Sequence, residues 1–224
     1  MLLVLAGSLW LCRRPILEAA ASALVVDQTP GDFEYILVLG GHQWASEWFD
    51  VTAELYREEP SRRVLLVEPA PERAVTLGVL PSYAERSCRV LEARGVPRRA
   101  VVLIPGKAPD LRAEVELLRT WLSARPETQV LALSGRFTSR AQRALLDRAL
   151  PAEDAARVAV CALSTDGCNE GNWWHTRWGA RAFMYAWLHL CHTHWGEGEG
   201  RSHSDWDPDE YERELASIAA EAGP

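Results

Sequence analysis

The chain lacks most of the short patterns that assign a reaction. No GxGxxG follows a strand-like run and no lysine stands in a P-loop pattern, so no nucleotide fingerprint is present and no cofactor is assigned. No GxSxG appears, which leaves Ser134, Ser164 and Cys161 near strand ends without a partnering base. The stretch HLCHTHW puts His189 and His192 on one helix face, but no HExxH or second ligand segment accompanies them, so no metal is assigned. A basic excess is missing too. Lys and Arg number 24 against 31 Asp and Glu, a net charge of -7, which argues against a nucleic-acid partner. A local basic patch remains around Arg136, Arg140 and Arg143.

Cysteine is scarce and badly placed for cross-linking. The five residues Cys12, Cys88, Cys161, Cys168 and Cys191 are odd in number and form no CxxC, so there is no disulfide framework. Only Cys161 and Cys168 would pair, and only in an exported domain; buried free thiols are the default. An unbroken membrane-spanning run is also absent. MLLVLAGSLWLC is apolar for twelve residues and then meets Arg13-Arg14, short of the roughly 20 residues a span needs. The arginines follow the run, whereas a signal peptide places its charge before it. Residues 1–26 therefore read as a partial membrane anchor or surface helix, with a core helix packed on the domain as the alternative.

What the sequence does contain is a fold. Its 224 residues, 48% hydrophobic and 25% charged, suit one α/β domain. YILVL at 35–39, VLLV at 64–67, VVLI at 101–104, VLAL at 130–133 and VAVCAL at 158–163 are near-continuous Val, Leu and Ile runs. Such runs fit strands of a parallel sheet covered on both faces. Helical segments alternate with them: from Ser46 to about Arg57, after Ser82 to Gly95, after Asp110 to near Pro126, from Ser139 to Leu150, and from Thr176 to about His194. Ser82 with Glu85, and Ser139 with Gln142, have capping-box spacing, and Asp110 is a further N-cap. The expectation is a Rossmann-like, doubly wound, mainly parallel sheet of about five strands with helices on both faces. The domain is drawn over residues 27–195. Residues 196–224, GEGEGRSHSDWDPDEYEREL onward, form a flexible acidic tail. Ten tryptophans, six of them after Trp121, suit packing more than any other use.

In such sheets ligands bind at the carboxyl ends of the strands, near the point where strand order reverses. Gly40, Gly41 and His42 follow the first run, Glu68 the second, and Gly106-Lys107 the third. Ser134, Gly135 and Arg136 follow the fourth, and Asn169 to Trp174 the fifth. Glycine amides and guanidinium groups favour phosphate or carboxylate, and SGRFTSR joins both to a helix start. The predicted binding set is Gly40, Gly41, His42, Lys107, Ser134, Gly135, Arg136, Arg140 and Trp174, and the partner a small anionic ligand. His42, Asp110 and Glu114 are the acid–base candidates. Loss of Arg140 is expected to weaken anion binding by roughly 1.5–3 kcal/mol, the worth of a charged hydrogen bond.

Several stretches in order resemble a known family. PILEAAASALVVDQTPGDFEYILVLGG leads to AELYREE, LEARGVPRRAVVLIPG, VLALSGRF and WWHTRWGARAFMYAWLHL. Over residues 15–195 this order resembles the YdcF/SanA/ElyC family, the domain of unknown function numbered 218. The resemblance implies a Rossmann-like domain tethered to the membrane in the bacterial cell envelope, with no assigned reaction. Three departures are visible. His42 stands for a third glycine. Asp110-Leu111 and Ala113-Glu114 stand for Asn-Thr and Glu-Asn. Ser134 to Thr138 stands for Thr-Ser-x-Tyr/Phe-His, so a proton-transfer role of that histidine does not pass to Thr138. Two other functions follow from the same residues: a non-enzymatic interaction module contacting partners through the Trp-rich C-terminal helix, and a soluble metabolic enzyme.

Overall fold

A computed structural model describes residues 13–28, 32–40, 46–164 and 167–195. The apolar residues 1–12, the tail from 196 and the pair Gly41-His42 lie outside the described residues. Along the chain come α1 (Arg13–Ser22), β1 (Tyr35–Val38), α2 (Ser46–Glu58), β2 (Arg63–Pro69), α3 (Arg73–Thr76) and α4 (Tyr83–Ala93). Then follow β3 (Val101–Ala108), α5 (Leu111–Ser123), β4 (Val130–Gly135), α6 (Ser139–Ala149), α7 (Ala152–Ala156), β5 (Val158–Leu163) and α8 (Arg177–Trp195).

The five strands form one sheet in the order β3-β2-β1-β4-β5, and every neighbouring pair is parallel. This is the doubly wound α/β arrangement that the strand runs predict. Side-chain alternation divides the core in two. Ile36, Val38, Val64, Leu66, Leu131 and Leu133 pack with Trp48, Phe49 and Leu91 from α2 and α4. Leu37, Leu39, Leu65, Val130 and Ala132 pack on the opposite face with Leu118 and Leu122 of α5 and Leu146 of α6. The chain leaves β1 outward toward β2 and β3, then crosses back to β4 and β5. The strand order therefore reverses between β1 and β4.

Local chemistry fixes several helix starts. Ser82 accepts the Glu85 N–H, and Glu85 accepts the Ser82 N–H, both at 3.2 Å, a complete capping box for α4. Asp110 accepts the Ala113 N–H at 2.8 Å and starts α5. The box expected of Ser139 and Gln142 does not form. A 3-10 turn over Arg136–Thr138 precedes α6, so Ser139 is already helical and Thr138 stands at the cap. Ser139 instead donates to the Arg136 carbonyl at 2.7 Å and accepts the Val26 N–H at 2.9 Å.

The segment before β1 is bound to the domain. Gln28 donates its N–H to the Val160 carbonyl at 2.7 Å, and its side chain accepts the Val160 N–H at 3.2 Å. Asp27 accepts the Ala162 N–H at 3.0 Å. These bonds cover the open edge of β5, which would otherwise present unpaired backbone groups. Ala21 and Leu24 are fully buried in a third cluster with Phe137, Trp173, Phe183 and Leu190. Trp173 stacks on Phe183 at 3.7 Å between centroids and donates its indole N–H to the Leu17 carbonyl at 3.3 Å. Within the candidate anchor of residues 1–26, the described part rests one side of α1 and its exit on this cluster through Leu17, Ala20, Ala21, Leu24 and Val25, while the rest of α1 is exposed. Among the described residues no helix is long and apolar enough to cross a membrane.

Candidate functional site

The reversal point brings the ends of β1 and β4 side by side. Val38 pairs with Leu133, so Gly40 and the Ser134-Gly135 step emerge on one rim. Gly40 is buried with φ +75°, a left-handed conformation that favours glycine. Its N–H points at the Glu114 carboxyl, 3.0 Å from one oxygen and 3.3 Å from the other. Glu114 comes from the first turn of α5 and is only 4% exposed. Burial disfavours its charge and pushes its pKa up to about 8, while the Gly40 N–H pulls it partly back. At neutral pH the carboxyl is mostly protonated, a neutral acid next to a backbone turn.

Glu68 and Tyr83 complete this half of the rim. Glu68, at the end of β2, accepts the N–H groups of Tyr83 and Ala84 at 3.1 and 2.9 Å. A carboxylate here meets the positive end of α4. The Tyr83 phenol is buried and its pKa is pushed up to about 12, chiefly by burial. The Ser87 hydroxyl opposes that shift, while the charges of Glu114 and Glu68 add to it. Next along the sheet, the β2–β3 register skips Pro105 and Gly106, so that Glu68 faces Lys107. Gly106 has φ +126°, and a Cβ there would stand 2.6 Å from Leu117. Lys107 is exposed, and it is the only lysine in the sequence.

The β4 half is organised differently. Ser134 is fully buried and donates its hydroxyl to the Gly135 carbonyl at 3.1 Å. A Cβ on Gly135 would lie 3.0 Å from the Thr138 hydroxyl and 3.7 Å from the Trp48 ring, which closes this wall. The indole N–H of Trp48 is buried with no hydrogen-bond partner among the described residues. Arg136 binds Glu170 through two nitrogens at 2.6 and 2.9 Å, with Asp27 at 3.9 Å and the Ala162 carbonyl at 3.4 Å. The Arg136 hydrogen bond lowers the Glu170 pKa.

Against these geometries, the sequence prediction divides. Gly40 and Glu114 are joined directly, and Ser134 and Gly135 stand beside them across the sheet. Asp110 is engaged as a helix cap. Arg136 is occupied by Glu170. Arg140 is exposed and donates to the Val25 carbonyl at 3.2 Å. Trp174 is half-buried, edge-on to Trp173 at 5.7 Å in the third cluster. Gly41 and His42 lie outside the described residues.

No family model, curated protein or solved structure matches this chain. The chemistry of the rim therefore has to be read from its own groups. Two of them have little signal in the sequence. Tyr83 is only a tyrosine after a cap, and Trp48 is one of ten. Glu170 is legible as a loop carboxylate, but not as the partner of an arginine 34 residues away. Cys88, Cys161 and Cys191 are free thiols.

Proposed function

We propose that the chain is a membrane-associated envelope protein that binds a small phosphate- or carboxylate-bearing ligand where β1 and β4 part. Glu114 is its acid–base group. One observation carries the reading: a buried carboxyl, raised to about 8, held on the Gly40 N–H at the reversal of strand order. A neutral carboxyl does not repel an anion, and it offers a proton to a phosphate or carboxylate oxygen. With Arg136 neutralised by Glu170, recognition falls to backbone amides, to this proton and to Lys107 at the rim. The envelope setting rests on the resemblance of the motif order to the YdcF/SanA/ElyC family and on the apolar run before α1.

The test is thermal unfolding of the full chain against nucleotides, sugar phosphates and S-adenosylmethionine. A ligand at 100 times its dissociation constant stabilises the fold by about 2.7 kcal/mol. The expected result is a shift with at least one phosphate- or carboxylate-bearing compound that shrinks in Glu114→Gln. No shift from any compound, in folded protein, would replace this reading with the interaction-module one. That second reading has its own support in the exposed Trp178, Met184, Tyr185 and Leu188 of α8. Trp173 and Trp187, by contrast, pack into the third cluster.

A further inference from the structure

The outer face of α8 is the least explained surface of the molecule. Its inner face is regular: Gly179, Phe183, Ala186 and Leu190, spaced four, three and four, are buried. The outer face carries Arg177, Trp178, Arg181, Met184, Tyr185 and Leu188 at the complementary spacing, and all are exposed. Trp178 is 53% and Leu188 67% exposed. The solvent face of a helix on a water-soluble domain normally mixes charges with other polar groups. Here two arginines stand among large apolar side chains. In its 19 residues α8 has no Asp or Glu, in a chain with 31 of them and a net charge of -7.

We propose that this face lies on a bilayer surface with anionic headgroups, a second contact beyond the N-terminal run. The inference rests on the membrane-associated reading above. Arginine beside exposed Trp, Tyr, Met and Leu matches the side chains that meet the headgroup layer of a bilayer, where aromatic rings and basic groups are enriched. Trp and Tyr rings settle at headgroup depth, and arginine stems reach outward to phosphate from an apolar footing. Charge favours an anionic surface over a second copy, because α8 supplies no carboxylate, so a contact of this face with itself would cover its arginines without an acidic partner. The chain before the described residues points the same way. Twelve apolar residues lead directly into α1, and α1 packs in the same cluster as the inner face of α8.

The experiment is co-sedimentation of the full chain with phosphatidylcholine vesicles, with and without phosphatidylglycerol, at low and high salt. Two double variants accompany the wild type: Arg177→Glu/Arg181→Glu and Trp178→Ser/Leu188→Ser. Their melting temperatures check the fold, and light scattering without lipid reports self-association. Wild type binds the phosphatidylglycerol vesicles more tightly, and salt weakens that preference. The charge variant loses at least about tenfold in affinity for those vesicles, as expected for two arginines at an anionic surface. The apolar variant loses affinity for both vesicle types. Wild-type binding by both variants would mean that the N-terminal run anchors alone, which overturns the α8 contact and leaves the membrane reading standing. No vesicle binding by wild type would overturn both. Variants that change self-association but not vesicle binding would make the face an interface between copies and overturn the proposal. The ligand crevice is untouched by any of these outcomes, since its thermal shift is read without lipid.

Discussion

Two carboxyl groups on the same sheet rim have been driven in opposite directions. Glu114, under the end of β1, is buried against one backbone N–H, and its pKa rises to about 8. Glu170, beyond the end of β5, meets the Arg136 guanidinium through both oxygens, and its pKa falls. The difference is the partner. The one donor to Glu114 among the described residues is neutral and does not offset removal from water, whereas a bidentate cation does. The β1 half of the rim is thus a place where a proton is held, and the β5 half a place where charge is fixed. The second half also ties the domain to its N-terminal segment, since Arg136 lies 3.9 Å from Asp27.

The comparison breaks most sharply at Glu114. Its folded pKa lies above the unfolded value of 4.5, so the native chain holds a proton that the unfolded chain has released between about 4.5 and 8. Stability therefore falls as pH rises through that window, by up to about 1.4 kcal/mol per unit for one proton. Below it, near pH 4, the carboxyl is protonated in both states. Glu114→Ala there leaves the buried Gly40 N–H unpaired and costs about 1–3 kcal/mol in urea unfolding. Glu114→Gln keeps an acceptor for that N–H but cannot titrate. Its stability relative to wild type should climb from pH 4.5 to about 8 and then level off. A parallel pH dependence of the two proteins would return Glu114 to an ordinary carboxylate.

Glu170→Gln sharpens the other side. Both side chains of the pair are about a quarter exposed, so solvent screening reduces its worth to about 1 kcal/mol at neutral pH. The sign is opposite to that of Glu114. Glu170 has a folded pKa below its unfolded one, so its contribution is present above pH 4.5 and is lost as pH falls through the lowered value. Wild type and Glu170→Gln should therefore converge in acid. Convergence toward alkaline pH instead would mean that the Arg136 pair does not govern this carboxyl.

What the sequence makes legible follows from the range of the interaction. The five strands announce themselves because a sheet covered on both faces needs unbroken Val, Leu and Ile runs. Their ends are less secure: β3 continues past Pro105 to Ala108 because a bulge passes over Pro105 and Gly106 and restores the register at Lys107. The Ser82 and Asp110 caps are local and appear as read. Ser139 carries the same local spacing, yet the Val26 N–H, 113 residues away, takes its hydroxyl and a 3-10 turn occupies the cap. At the site, Gly40 and Ser134 are readable as rim residues because each directly follows a strand run, and Glu114 as an acid–base candidate in the first turn of a capped helix. That Glu114 is buried, and that Arg136 already has a carboxylate partner, depends on which loops meet in space.

Arg140 gives the smallest effect and the cleanest check on the divided rim. On sequence it belongs with the ligand, where its loss would cost roughly 1.5–3 kcal/mol of anion binding. In the fold its backbone N–H donates to the Leu24 carbonyl and its guanidinium to the Val25 carbonyl, so both groups hold the segment leaving α1. Arg140→Ala keeps the backbone bond and loses one exposed side-chain bond, so unfolding should shift by no more than about 0.5 kcal/mol. Ligand-induced thermal shifts should match wild type. A loss of affinity of roughly 1.5 kcal/mol or more would bring Arg140 back to the crevice. Anion recognition would then belong to the β4 loop after all, and the division between a proton-holding half and a charge-fixed half would fail.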